Sequence, residues 1–375
     1  MRNRFNWNRS VHWPGFTAVI VFLIFAAGSA WAESVDQLRT LLGQRLLICV
    51  DWPRLSPEQH ELLQKGWVGG VILFEQDVKS PQQLLDYVES LRALSPQPLL
   101  VAVDQEGGEV RRLREEQGFQ TIPSESFIGQ SKDPKAASLF GVQLGLQLKA
   151  ESINLDFAPV VDLDTQAQTP IINDFKRSLG SDPVKVADLA DQIVRGMKAE
   201  GVLAAAKHFP GETAANANPH EGEALSNVSL DELEKNDLVP YRKLIADGLD
   251  AVMTSHVTYA QIDPGFPASL SRKIIQDILR KELGFKGLVI CDDLRMGAIE
   301  NKFPLPEAVV QAVNAGVDGP HCAWSAGAMR SIRNGRSLFS CGSIFLMTPA
   351  RLRCCSVSKW AGFRFSGLAT SWNRH

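Results

Sequence analysis

The sequence predicts an α/β protein of the (β/α)8 TIM-barrel type, with the eighth strand and last helix in doubt. Between about residues 36 and 319, short apolar runs recur, each followed by a loop and a helical pattern, as in a parallel sheet buried on both faces. Polar residues gather at the C-terminal ends of these runs, where barrel enzymes place their chemistry. Seven such units without a long structureless break fit a barrel better than an open doubly wound sheet.

In order, the expected strands are "RLLICVDW" (45–52), "GGVILF" (69–74), "PLLVAVDQ" (98–105), "INLDFAPVVDL" (153–163), "VLAAAKHF" (202–209), "LDAVMTSHV" (249–257) and "KGLVICDDL" (286–294). Between them lie amphipathic stretches such as "SPQQLLDYVESLRAL" and "DPVKVADLADQIVRGMKAEG". The second has Asp182-Pro183 as its start signal and Gly201 as its stop. "NAGVDGP" (314–320) reads as the entry to an eighth strand. The strand ends carry Asp51, Glu75, Asp104, Asp162, Lys207, His208, His256, Asp292 and Asp293. Asp51 or Glu75 alone reads as a loop anchor, whereas agreement across the strand ends predicts an active-site rim.

The two chain ends differ from this middle. "MRNRFNWNRSVHWPGFTAVIVFLIFAAGSAWAESV" has arginines ahead of an apolar run, then a small-x-small site at Ala30-Trp31-Ala32. That is the pattern of a secretory signal peptide over residues 1–32, and it predicts a secreted or periplasmic protein with no stable membrane insertion after cleavage. The apolar run is short for a membrane span. Cys49 and Cys291 fall within apolar strands and are expected as buried thiols.

The net charge of −3 with 22% charged residues gives no sign of a nucleic-acid-binding surface in the total. From Pro320 to His375, however, there is no Asp or Glu. This segment carries about +8 against −11 for residues 1–319, and holds four of the six cysteines and three of the eight tryptophans. A basic binding tail and a disulfide-clamped module are two readings. Basic tails are usually lysine-rich and free of Trp and Cys, so a slipped reading frame near residue 319 accounts for the composition better. The domain expectation is therefore a signal peptide (1–32), a barrel (33–319) and an aberrant basic tail (320–375).

Five stretches in order resemble glycoside hydrolase family 3, in its single-domain β-N-acetylglucosaminidase branch: "VDQEGGEVRRL" (103–113), "NLDFAPVVDLDT" with "KRSLGSDP", "AKHFPG" (206–211), "MTSHV" (253–257) and "VICDDLRMGAI" (289–299). The resemblance implies a retaining exo-acting enzyme that releases terminal N-acetylglucosamine from peptidoglycan fragments or chitin-type oligosaccharides through a glycosyl-aspartate intermediate. Asp292 matches the family's nucleophile. Asp293 beside it should face the other way, because neighbouring side chains on a strand end point to opposite sides. Asp104, Arg177, Lys207 and His208 match its sugar-binding positions. Glu106 is expected to stabilise the turn at Gly107-Gly108.

For the proton donor, the resemblance implies a histidine on the strand-five loop, here His220, paired with a carboxylate two residues earlier. This chain has Asn218 at that place, and Glu212-Thr213 where the family usually has His-Gly. A carboxylate hydrogen-bonded to imidazole stabilises its protonated form, and Asn supplies no such charge. Three outcomes are open. His220 works with weaker help; Glu212, Glu221 or Glu223 supplies the carboxylate or acts as the acid; or the chain is a sugar-binding homologue with an impaired site. A family 3 enzyme of other specificity, such as a β-glucosidase, ranks last. No cofactor or metal is implied, the expected partner is carbohydrate, and a monomer is expected.

Overall fold

The computed structural model describes residues 36–165, 172, 175–212 and 214–322. The signal peptide expected at 1–32 and the tail beyond residue 322 lie outside them.

Eight strands form one parallel sheet that curls into a barrel. They are β1 (Leu47–Cys49), β2 (Gly70–Leu73), β3 (Leu100–Val103), β4 (Leu155–Asp156), β5 (Leu203–Phe209), β7 (Ala251–Thr254), β9 (Leu288–Cys291) and β10 (His321–Cys322), in the order β10-β1-β2-β3-β4-β5-β7-β9. A separate parallel pair, β6 (Ala224–Ser226) and β8 (Val257–Tyr259), joins the loops that follow β5 and β7. The run 249–257 therefore holds two strands, separated at Ser255-His256.

The eighth strand, doubtful from the sequence, is present. His321 and Cys322 pair with Leu47 and Ile48 of β1. On the other side Gly319 bridges Ile290 of β9, and the His321 carbonyl accepts from the Leu294 N–H at 3.1 Å. The segment thus pairs with the edge of β1 and bridges that of β9, and such closure satisfies backbone groups that an open sheet would expose. Arg280 and the Val289 N–H both engage the Asp318 carboxylate, tying the entry of this strand to β9.

Each of the first seven barrel strands feeds one or two outer helices: α1 (Pro57–Gln64), α2 (Pro81–Leu94), α3 (Glu125–Ser131) with α4 (Pro134–Ala150), α5 (Pro183–Ala199), α6 (Leu230–Lys235) with α7 (Leu238–Ala246), α8 (Lys273–Glu282), which is wound as a π-helix, and α9 (Gly297–Glu300) with α10 (Leu305–Ala315). Several starts follow one local rule, a Ser or Asp cap and then Pro. Ser56, Ser80, Asp133 and Asp182 each accept a first-turn N–H, and the Pro that follows needs no hydrogen bond there. Gly316, at φ +112°, stops α10 in the left-handed region and turns the chain into the closing strand.

Strand alternation sorts the core into two clusters. Leu47, Ile72, Leu100, Ala102, Leu155, Ala205, Met253 and Ile290 fill the barrel interior, while their neighbours Ile48, Val71, Val101 and Val289 pack outward against the helices. The interior set fixes which residues reach the mouth. Asp104 lies two positions beyond Ala102, Lys207 two beyond Ala205, and Asp292 two beyond Ile290. Cys49 and Cys291 are buried, as expected.

Candidate active site

At the C-terminal mouth of the barrel, β5 departs from simple alternation. Its register with β7 shifts between Ala206 and Phe209, and such a bulge re-aims side chains, so that Lys207 and His208 both enter the buried polar cluster.

Five charged side chains form a lattice, with Lys207, Glu106 and Arg177 buried and Asp104 and Arg112 partly exposed. Lys207 Nζ lies 2.8 Å from Asp104 Oδ1 and 2.6 Å from Glu106 Oε1. Arg177 grips Glu106 bidentately, with both N–H donors at 2.8 Å. Arg112 completes Asp104 at 3.1 Å. Burial alone would push both carboxyls up. Lys207 and Arg112 overcome it and hold Asp104 well below the usual carboxylate range; Arg177 and Lys207 bring Glu106 to about 2. The same attraction raises Lys207 and Arg177 despite their burial. Glu106 is therefore not a turn stabiliser, as its neighbouring glycines suggested. Its carboxylate, 1% exposed, holds the two cations in place.

Beneath this lattice, two further carboxyls are pushed well above the usual range, chiefly by burial. Asp156 accepts from the Gln105 N–H at 2.9 Å, and Glu125 accepts from the Val160 N–H through both oxygens. They brace the loops after β3 and β4.

Asp162 organises the neighbouring corner. Its Oδ2 accepts from the His208 N–H at 3.1 Å and from the His208 ring Nδ1 at 2.6 Å, and its Oδ1 accepts from the Glu212 N–H at 2.8 Å. His208 Nε2 faces Arg177 Nη2 at 3.4 Å. Burial would lower the His208 pKa, but Glu212 and Asp162 raise it. Burial raises Glu212 itself to about 7, with His208 opposing the shift and the nearby charges of Asp162 and Asp292 adding to it.

Asp292 stands at the end of β9, its N–H bonded to the Thr254 carbonyl at 3.1 Å. Burial would raise its pKa, but His256, His208, His220 and His321 together bring it below the ordinary value. It is thus a carboxylate held ionised. Asp293 accepts from the Arg295 N–H at 3.0 Å and so closes the turn that follows. His256 supports the pair from below: Nε2 donates to the Asp293 carbonyl at 2.9 Å, while Nδ1 meets the Ser269 hydroxyl at 2.7 Å. His321, from the closing strand, stands between Phe74 and Phe157, with ring centroids at 6.4 and 6.3 Å. It was not foreseen, because it belongs to the segment whose composition pointed away from folded structure.

The strand-five loop lies across the loop after β9. Gly297 N–H donates to the His220 carbonyl at 3.1 Å and Ala298 N–H to the Pro219 carbonyl at 3.0 Å. Gly297 is required by this approach, since a Cβ there would come within 2.6 Å of the Glu221 backbone. His220 is thereby carried close enough to feel the charge of Asp292, which raises its pKa, although partial burial prevails and leaves it lowered. Asn218 Oδ1 accepts from the His220 backbone N–H at 3.0 Å, and its Nδ2 reaches Glu221 at 3.3 Å. Glu223 pairs with Lys302. Of the remaining rim residues, Glu75 pairs with Arg114 at 3.0 Å as a loop anchor, and Asp51 is exposed. The structure therefore brings Asp104, Arg177, Lys207, His208, Asp292 and His220 to one mouth, and adds Glu106, Asp162, Glu212 and His321. Among the described residues, no group of three His, Cys, Asp or Glu is arranged to hold a metal ion.

Comparison with known proteins agrees with this architecture. The profile of the glycosyl hydrolase family 3 N terminal domain matches residues 32–320. A Beta-hexosaminidase of Nitrosomonas eutropha is 41% identical over 277 residues, covering 72% of this chain and 78% of its own. A Beta-hexosaminidase of Stenotrophomonas maltophilia is 40% identical over 279 residues, covering 73% and 81%. Among solved structures, a glycoside hydrolase family 3 beta-N-acetylglucosaminidase from Paenibacillus sp. superposes with a TM-score of 0.80 at 31% identity, over 87% of this chain and 61% of that one. NagZ from Neisseria gonorrhoeae, in complex with N-trifluoroacetyl-D-glucosamine, superposes with a TM-score of 0.70 at 32% identity, over 78% and 84%. With the barrel, the mouth and these matches in agreement, the chain belongs to glycosyl hydrolase family 3.

Proposed function

We propose that this glycoside hydrolase is a retaining exo-β-N-acetylglucosaminidase, which removes terminal N-acetylglucosamine from peptidoglycan fragments or chitin-type oligosaccharides. The observation that carries the reading is the position of Asp292 directly after β9, at the same C-terminal end of the barrel where Lys207 pairs with Asp104 and Arg177 with Glu106; the nearby histidines lower its pKa. The similarity to proteins named Beta-hexosaminidase supports a β-N-acetylhexosaminidase activity.

In this reading Asp292 attacks the anomeric carbon and forms a glycosyl ester, which water then hydrolyses with net retention. Asp104, Arg177, Lys207 and His208 hold the sugar hydroxyls: the carboxylate accepts hydrogen bonds while the cations donate them, and their mutual pairing fixes them before substrate arrives. A residue of the strand-five loop, where His220 and Glu212 both lie, donates the proton to the leaving oxygen. The mechanism needs no cofactor and takes the chain as a monomer. Secretion to the periplasm or medium through the N-terminal segment would bring it to such substrates.

A second reading has one observation in its favour. Asn218 is committed to its own turn, so His220 lacks a charged helper, as in a sugar-binding homologue with an impaired site. Turnover of a para-nitrophenyl N-acetyl-β-glucosaminide and of the matching β-glucoside, with the first-formed anomer followed by proton NMR, separates these readings. The proposal expects the N-acetylated substrate to be preferred and the β-anomer to be released first. Binding of N-acetylglucosamine without turnover would sink it in favour of the impaired site, and preference for the glucoside would favour another specificity.

A further inference from the structure

We propose that His256 is a positioning residue for the nucleophile: through Asp293 it fixes the Asp292 carboxylate so that Oδ2 is the oxygen presented to the anomeric carbon. The inference rests on the reading of Asp292 as the nucleophile of a retaining glycosidase, and deepens it.

His256 occupies the break between β7 and β8 and is 1% exposed. The backbone of that break is pinned on both sides. The Ser255 N–H donates to the Phe209 carbonyl of β5 at 2.8 Å, and the Ser255 carbonyl accepts from the Ser269 N–H at 3.0 Å. The second bond sets Ser269, in the short 3₁₀ turn Ala268–Leu270, beside the imidazole. Its hydroxyl meets Nδ1 at 2.7 Å, while Nε2 lies 2.9 Å from the Asp293 carbonyl. A carbonyl only accepts, so Nε2 carries a hydrogen, and a hydroxyl serves Nδ1 as donor or acceptor. Both ring nitrogens are thereby engaged, and the ring has one orientation.

Asp293 passes this constraint to the nucleophile. Its N–H donates to Asp292 Oδ1 at 2.7 Å, and the Asp292 N–H is itself held by the Thr254 carbonyl at 3.1 Å. The Asp293 carbonyl also accepts from the Met296 N–H at 2.9 Å, so the turn closes without His256. What the imidazole adds is a second bond to the same oxygen, which stops Asp293 from rotating. With Oδ1 committed to Asp293, Oδ2 is the oxygen left to attack.

Oδ2 forms a bond to the anomeric carbon as the bond to the leaving oxygen breaks, and that oxygen takes a proton from the strand-five loop. Water then opens the ester: its oxygen stays on the sugar, its proton returns to the loop, and the Asp292 carboxylate is regenerated. His256 exchanges no proton in either half.

The test compares wild type, His256→Leu, His256→Gln, Ser269→Ala and Asp292→Ala by kcat and KM on a para-nitrophenyl N-acetyl-β-glucosaminide, calorimetric affinity for N-acetylglucosamine, and thermal melts. His256→Leu should lose ~10–10²-fold in kcat, as for a misplaced reacting atom, with KM and sugar affinity little changed. His256→Gln should recover most of this loss, because its amide N–H can donate to the same carbonyl. Ser269→Ala should lose less, again in kcat alone. A role in packing only would lower the melting temperature, sugar affinity and kcat together and give Gln no advantage over Leu. That pattern, or wild-type kcat in His256→Leu, overturns the inference. Where His256→Leu does not fold, Ser269→Ala decides, and an unchanged kcat there overturns it as well. Full activity in Asp292→Ala is a separate failure, in which the functional reading falls and takes the inference with it.

Discussion

Asn218 Oδ1 accepts from the backbone N–H of His220 at 3.0 Å, so the side chain closes the turn and is not available to orient the imidazole. Replacing it with the carboxylate that the family resemblance implies should leave this turn intact, because Asp accepts the same hydrogen bond. The Asn218→Asp variant is therefore expected to gain far less than the ~10²-fold that a newly assembled acid would bring. Steady-state kinetics on an alkyl N-acetylglucosaminide measures this, and a gain of that size would show that a carboxylate at this position does assist the imidazole.

Glu106 binds Arg177 and Lys207 with its two oxygens, and all three side chains are buried. Glu106→Gln leaves two cations side by side with one counter-charge fewer. Breaking such a buried arrangement costs about 3–5 kcal/mol, so the urea midpoint should drop. KM should rise as well, since both cations line the proposed sugar site. A variant with unchanged midpoint and KM would show that the lattice does not depend on this residue.

Asp77 is 1% exposed, accepts from the Phe74 N–H at 2.8 Å, and is raised by burial from 3.8 to about 6. A carboxyl with a raised folded-state pKa favours the fold most when protonated. Its contribution is complete below about 4 and is lost as pH rises through 6. Asp77→Asn keeps an acceptor for Phe74 without the charge, so it should be more stable than wild type at pH 7.5 and lose that advantage at pH 4. Urea midpoints at the two pH values measure the crossover, and an equal difference at both would exclude Asp77 as its source.

Much of the fold was readable because it depends on local rules. The seven apolar runs each hold a barrel strand, since a parallel strand buried on both faces has little choice of side chains, and Asp182-Pro183 marked the start of α5. What could not be read depended on contacts far apart in sequence. The partnership of Glu106 with Arg177 spans 71 residues, and no local pattern marks it. The Glu212 N–H is held by Asp162, 50 residues earlier. The closing strand was obscured for another reason. Only His321 and Cys322 are needed to pair with Leu47 and Ile48, and two residues are too few for any periodicity to register.

The central claim is that Asp292 is the nucleophile of an N-acetylglucosaminidase. It is tested most directly by kcat/KM for a para-nitrophenyl N-acetyl-β-glucosaminide, measured side by side for wild type and a folded Asp292→Ala variant. The account predicts clear turnover by wild type and a loss on the order of 10⁴-fold or more in the variant, as expected when a covalent nucleophile is removed. Equal turnover by the two proteins would contradict it.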